Sequence, residues 1–217
     1  MLEATEDSLL ARARALAGLP LSRLAGGEAL RGKGAAGELI ERALGIAPSS
    51  RPEPDVPALG IEVKTLPVRH GRVAQSTWVC SASPGAIALE TWATSRARAK
   101  LARVLFVPID VSAAALLERR VGTAFLWSPD EAEEATLRAD WEDLADLVAK
   151  GLSTSLSARR GQALQLRPKA KDASVTRRYA MPDGDTWEGR PQGFYLRRPF
   201  VQRLVDQRFP PSSAPLG

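Results

Sequence analysis

Cysteine and histidine are almost missing from this chain, which has one of each, Cys80 and His70, in 217 residues. That excludes a disulfide framework, a zinc cluster built from Cys and His, and any reaction centre that needs two histidines. Enzymatic chemistry here has to run on carboxylates, lysines and hydroxyls. Cys80, in Trp78-Val79-Cys80, is expected as a buried small apolar residue of a strand rather than a nucleophile. His70, just ahead of Gly71, is expected in a solvated turn. Long apolar runs are also lacking: no stretch approaches the roughly 20 residues needed to cross a bilayer. Met1 to Asp7 carry three acids and no basic cluster before an apolar segment, the wrong charge pattern for a secretory leader, so a cytoplasmic location is expected.

What is present describes a globular chain with a sizeable core: 44% hydrophobic and 25% charged residues. The net charge of +5 is modest, but its distribution is uneven. From Gly151 onward twelve Arg or Lys stand against five Asp or Glu, whereas acids slightly outnumber bases before it. Such asymmetry marks a surface for a polyanion, or else a set of solvated basic residues without a partner.

The spacing of Leu9, Leu10, Ala13, Leu16 and Ala17 predicts a first helix capped by Ser8. A glycine-rich link then precedes a second helical stripe, Ala36, Leu39, Ile40, Ala43 and Leu44, closed by Gly45. Arg51-Pro52-Glu53-Pro54-Asp55 must be extended. Ile61 to Thr65 alternates as a strand ended by Pro67, Thr77 to Ser81 reads as a second, and Val104 to Val107, after a helix around Ser95 to Ala102, as one buried on both faces. Ser128-Pro129-Asp130-Glu131 reads as a capping box with proline at the first helical position, opening a helix that buries Leu137, Trp141, Leu144 and Val148 and stops at Gly151. Beyond it, Ala163 to Leu166 and Gly193 to Leu196 read as short strands separated by a loop, and Pro210 to Gly217 as a disordered tail.

The informative stretch carries acids and a lysine. Asp55 sits at a strand entrance, and Glu62 and Lys64 project from one face of the next strand, roughly 7 Å apart as i and i+2 residues. Two carboxylates can hold a divalent cation such as Mg²⁺ while the ammonium orients a water and offsets charge on a phosphate. Glu41 lies on the flank of the second helix that can reach the strand acids, with space left beside it by Gly37. The competing reading is a set of ordinary charges on a half-exposed strand and helix. Read from the residues alone, Arg167 and Lys169, with Pro168 stiffening the loop between them, are generic phosphate contacts or solvated charges.

Lys33-Gly34-x-x-Gly37-x-x-x-Glu41-x-x-Leu44-Gly45, followed by Ser50-Arg51-Pro52-Glu53-x-Asp55-x-x-x-Leu59-Gly60-Ile61-Glu62-Val63-Lys64-Thr65-Leu66-Pro67-Val68, closely resembles the MutH family of DNA mismatch-repair endonucleases. The related GATC-cutting restriction enzymes of the PD-(D/E)xK superfamily are similar too. Further matches follow in order: Lys100-Leu101-x-Arg103-Val104-Leu105, Arg120-Val121-Gly122, Leu126-Trp127-Ser128-Pro129, Asp140-Trp141-Glu142, Leu166-Arg167-Pro168-Lys169-Ala170 and Gly193-Phe194-Tyr195-Leu196.

The resemblance implies an α/β fold, a restriction-endonuclease-like mixed-sheet core flanked by helices, with two lobes around a DNA-binding cleft. On that reading residues 1–217 form one endonuclease domain, with a catalytic lobe over about 1–110, a DNA-reading lobe over 111–209 and a tail from 210. It makes Asp55 and Glu62 the ligands of Mg²⁺, with Mn²⁺ as a substitute, Lys64 the catalytic lysine, and Glu41 and Lys100 further members of the site. Lys33 falls near the DNA backbone, Arg167, Pro168 and Lys169 on a loop that reads the sequence, and Tyr195 where adenine methylation is sensed. The implied activity is nicking of the unmethylated strand at hemimethylated GATC in double-stranded DNA, by a monomer stimulated by MutL and indirectly by MutS. The alternatives are a stand-alone restriction endonuclease making double-strand cuts, and a DNA-binding module that does not cut. This chain departs from the family pattern at Gln75, where an acid is common, over Lys171 to Gln192, and at Pro199.

Overall fold

The computed structural model describes residues 5–28, 32, 34–47, 52–150, 160–169 and 175–210. Lys33, the stop of the long helix at Gly151 and the tail from 211 lie outside the described residues. In chain order the elements are α1 (Glu6–Ala15), α2 (Leu21–Ala25), α3 (Ala35–Ala43), β1 (Glu62–Arg69), β2 (Arg72–Val73), β3 (Thr77–Ala82), α4 (Pro84–Ile87), α5 (Arg96–Leu101), β4 (Val104–Asp110), β5 (Arg120–Val121), β6 (Phe125–Trp127), α6 (Glu131–Ala149), β7 (Leu164–Pro168), β8 (Arg177–Ala180), β9 (Thr186–Gly189), β10 (Gln192–Leu196) and α7 (Arg198–Arg208). Short 3-10 turns cover Pro57–Leu59, Trp92–Thr94 and Leu116–Glu118.

A mixed sheet in the order β2-β1-β4-β5, with β6 also paired to β4, forms the centre. Its heart is the parallel pair of β1 and β4, from Glu62 opposite Val104 to Val68 opposite Asp110. Apolar residues alternate to both faces, so the pair is buried twice over. Ile61, Val63, Leu105, Val107 and Ile109 pack against Leu9, Ala13, Leu21, Leu39 and Ile40 of the N-terminal helices. Leu66, Val104 and Phe106 join a second core with Leu101, Trp141, Leu144, Leu164, Phe194 and Phe200. A separate antiparallel sheet, β3-β10-β7, rests on that second core, and β8 and β9 form a hairpin.

Several expectations need correcting. The first helix is capped by Thr5, whose hydroxyl oxygen accepts from the N–H of Ser8 while the Ser8 hydroxyl closes the box from N3. The long helix is capped by Asp130, reciprocated by Glu133, which leaves Pro129 outside it. Ser128 instead donates its hydroxyl to the Ala102 carbonyl. The expected loop between β7 and β10 contains the β8/β9 hairpin. Pro199 lies in the first turn of α7, a helix beyond those expected from the sequence, and is accommodated there because a first-turn N–H has no partner in the helix anyway. Cys80 is buried, its thiol pushed up to about 12 by desolvation, and His70 occupies an exposed turn at φ 48°.

Candidate functional site

The site forms along one edge of β1. Strand β4 covers the other edge, and β2 covers the near one only from Val68 onward. Because N–H groups alternate in direction along a strand, Glu62 donates its N–H towards β4, to the Arg103 carbonyl, and Val63 donates in the opposite direction. The acceptor is Asp55 Oδ2, at 2.9 Å. Asp55 is carried there by a non-helical segment set by Pro52 and Pro54, whose return is pinned by paired bonds between Val56 and Ile61. The sequence placed the acid at the strand entrance; the structure adds that its carboxylate caps the open edge.

Glu62 and Lys64 do not sit on a solvated face. Both are buried, and their tips approach to 2.9 Å although the residues are two apart along the strand. Lys100 of α5 takes the other oxygen of Glu62 at 2.7 Å and reaches the Glu53 carbonyl at 3.3 Å. One carboxylate thus receives two ammonium groups. A lone buried charge would be expensive; the pairing offsets desolvation and also ties α5 to the loop that carries Asp55.

Glu41 faces the same edge from α3. Its carboxyl is raised to about 7, first by burial and then by the negative charges of Asp55 and Glu62. Asp55 is raised as well, by burial and by Glu62, against the lowering effect of the Val63 N–H. A methyl group at Gly37 would meet Glu41 and Thr65 oxygens only at 3.9 Å, so the glycine leaves room without being obligatory. Carboxylates gathered at one strand edge, with Glu41 and Asp55 holding their protons more tightly than usual, are suited to a hard divalent cation, and oxygen donors are what such an ion prefers. Among the described residues, however, no three acids, histidines or cysteines are gathered closely enough to cage a metal. Glu62 is turned to its lysines and would have to share or exchange them to hold a cation.

The second half of the site stands on the β3-β10-β7 sheet. Leu164 and Leu166 point into the core, so the intervening phase sends Gln165, Arg167 and Lys169 to the opposite face. Tyr195 lies opposite Gln165, and Gly193 opposite Arg167. Between β10 and β3 the register slips after Phe194: Phe194 pairs with Cys80 but Tyr195 with Trp78, leaving Val79 as the extra residue of a bulge. That slip turns Trp78 to the Tyr195 face. Its ring meets Tyr195 edge-on at 5.1 Å and lies across Gly193, where a Cβ would come within 2.1 Å of it. Lys169 Nζ sits 4.9 Å above the Trp78 ring, and the Arg167 guanidinium 5.5 Å from the Tyr195 ring while donating to Ser76 Oγ at 2.6 Å. Burial pushes the Tyr195 hydroxyl upward, against the lowering effect of the Arg167 charge.

Asp140 of α6 anchors this ribbon. The buried carboxylate accepts from the N–H groups of Gln162, Ala163 and Leu164 at 2.6–2.9 Å. Gly161 precedes them at φ +86°, with the Leu164 carbonyl so close that a Cβ would lie 2.0 Å from it. Asp140 belonged to a matched motif without an assigned role, and Trp78 carried no signal beyond being aromatic, because the bulge that aims it is invisible to a period of two.

Both halves open into one cleft of about 880 Å³. Glu41, Asp55, Glu62 and Lys64 line it together with Arg167, Pro168, Lys169 and Tyr195. Lys100 stands behind Glu62, outside the cleft lining. A mixed sheet flanked by helices, with an acid-x-lysine pair at the open edge of a central strand, defines the restriction-endonuclease-like class of nucleases.

Comparison with known proteins narrows the class. A family model described as "DNA mismatch repair enzyme MutH" matches residues 44–140. The DNA mismatch repair protein MutH of Shewanella amazonensis is 42% identical over 94% of this chain and 95% of its own length. That of Pectobacterium atrosepticum is 41% identical over 94% and 92%, and that of Salmonella paratyphi B 42% over 95% and 93%. The chain belongs to the MutH family of DNA mismatch-repair endonucleases.

Proposed function

We propose that the cleft receives a GATC site in double-stranded DNA and that the chain nicks the unmethylated strand when the site is hemimethylated. The observation that carries this reading is that the acids and lysine suited to phosphodiester hydrolysis share one cleft with cations and a tyrosine suited to reading base edges. Asp55 and Glu62 would hold Mg²⁺, or Mn²⁺ in its place, which supplies Lewis-acid stabilisation of charge at the scissile phosphate. Glu41 adds negative charge beside them. Lys64 exchanges its bond to Glu62 for the attacking water and the phosphate, and Lys100 keeps Glu62 and the Asp55 loop in register. Arg167 and Lys169 donate to guanine O6 and N7, Pro168 stiffens their approach, and the Tyr195 hydroxyl meets the adenine amino group, where a methyl alters both fit and hydrogen bonding.

In this reading the chain works as a monomer, and the duplex lies between the β1 edge and the exposed face of the β3-β10-β7 sheet. Lys33 contacts the DNA backbone, and MutL, itself recruited through MutS, stimulates the nick. The chain's place of work is on DNA in the cytoplasm; among the described residues no helix is long and apolar enough to cross a membrane. The test is to incubate the protein with unmethylated, hemimethylated and fully methylated GATC duplexes in Mg²⁺, with and without MutL. The expected product is a nick in the unmethylated strand, faster with MutL. Double-strand scission independent of MutL would make it a stand-alone restriction enzyme, and binding without any cut would make it a recognition module.

A further inference from the structure

The cations of the cleft sit unevenly about the β1 edge. Arg167 and Lys169 occupy the side built on the β3-β10-β7 sheet, and Lys64 is engaged with Glu62. On the other side, among residues packed against the N-terminal helices, the cleft is lined by Gly32, Ala36, Ile109, Val111, Leu116 and Arg119. Arg119 is the one cation on that side among the described residues.

Its backbone is fixed from both directions. The N–H donates to the Leu116 carbonyl, and the carbonyl accepts from Leu21 at the start of α2. The guanidinium is fixed as well, Nε donating to the Ala113 carbonyl at 3.2 Å and Nη2 to the Ala114 carbonyl at 3.3 Å. Carbonyls orient a guanidinium without cancelling its charge, and among the described residues no carboxylate forms an ion pair with it. A half-buried, oriented, uncompensated arginine in a cleft whose floor carries three acids has the chemistry of an anion site. A duplex presents two phosphate backbones, and with Arg167 and Lys169 on one side of the edge, Arg119 is the cation that, among the described residues lining the cleft, stands on the side of the other.

We propose that Arg119 is a phosphodiester-binding residue, holding the DNA backbone on the side of the cleft away from Arg167 and Lys169. The proposal rests on the reading that the duplex lies in this cleft. It is tested by measuring affinity over a salt series in Ca²⁺, which stands in for Mg²⁺ to hold the DNA uncut, for a GATC duplex and an unrelated duplex. Arg119→Gln is expected to weaken both by roughly tenfold and to make log affinity against log salt shallower by about 0.9. Arg167→Ala is expected to weaken mainly the GATC duplex. Unchanged affinity and slope for Arg119→Gln, with the Arg167→Ala effect intact, would leave Arg119 a loop clip and overturn the proposal alone. No effect of either variant would sink the cleft reading as well. A loss confined to the GATC duplex would also overturn it, since a phosphate contact ignores sequence. Should Arg119→Gln fail to fold, phenylglyoxal labelling of the wild-type protein decides: protection of Arg119 by the unrelated duplex supports the contact, and equal labelling with and without DNA rejects it.

Discussion

The β1 edge and the β10/β7 ribbon both present charge to one cleft, but they handle it in opposite ways. On β1, Glu62 and Lys64 are buried and answer each other, with Lys100 completing the set. On the ribbon, Arg167 and Lys169 are exposed and lie over Tyr195 and Trp78, and among the described residues no carboxylate is paired to them. An aromatic face attracts a cation only weakly and leaves its charge for a ligand. The pairing on β1 creates a balanced interior in which geometry is held tightly, and the stacking on the ribbon keeps long side chains ordered while their positive field reaches outward. Catalysis needs the first arrangement and recognition of a polyanion the second.

If that contrast is right, damage to the two regions should separate. The largest effect is expected from Asp55→Ala or Lys64→Ala, which should lower the nicking rate by about 100-fold or more while duplex affinity, measured in Ca²⁺, stays within about threefold. Matching losses of cutting and binding would erase the distinction. Next comes Asp140→Ala, which strips three backbone donors of their acceptor and should destabilise the fold by about 3 kcal/mol, lowering the thermal midpoint by roughly 6–12 °C. A midpoint within a degree or two of wild type would mean that the ribbon does not depend on α6 for its anchorage.

Arg167→Ala should cost about 1–3 kcal/mol on a GATC duplex and much less on an unrelated one, with the response to Mg²⁺ unaltered. A uniform loss on both duplexes would turn Arg167 into a phosphate contact and weaken the idea of a reading surface. The smallest effect sharpens the comparison from the β1 side. With metal chelated, Glu41 holds its proton up to about 7 in the folded chain, against 4.5 for an ordinary glutamate. The folded state therefore binds more protons than the unfolded state between those values, and its stability falls as pH rises through that window. Glu41→Gln should then melt at a higher temperature than wild type at pH 8, the gap closing towards pH 4.5. Equal melting temperatures at pH 8 would show that Glu41 is not under strain from its neighbours.

Much of the catalytic side was readable from the chain because its signals are local. Asp55, Glu62 and Lys64 stand within ten residues, and prolines at 52, 54 and 67 frame them. Alternation misled only about solvation: helices cover both faces of β1, so the charged face is as buried as the apolar one. The reading side was only half visible. The phase of Leu164 to Lys169 marks which residues face away from the core, but the slip at Val79 and the clamp at Asp140 join residues far apart in sequence, which no periodicity records. Short elements were missed for a related reason: β2 has two residues and α2 five, too few for a pattern, and both form because tertiary neighbours fix them.

The open edge of β1 has a consequence for self-association. A central strand left uncovered is an invitation to a strand from another molecule, because its free N–H and C=O groups offer a ready ladder. Residues 63, 65 and 67 direct their backbone groups to that side. Val63 gives its N–H to Asp55, Pro67 has none to give, and the Pro67 carbonyl is taken by Ala74. An intruding strand would find Thr65 as the one donor on this stretch, next to acids it would have to desolvate. The groups arranged for work on DNA therefore also keep a functionally naked edge from sticking to its own kind.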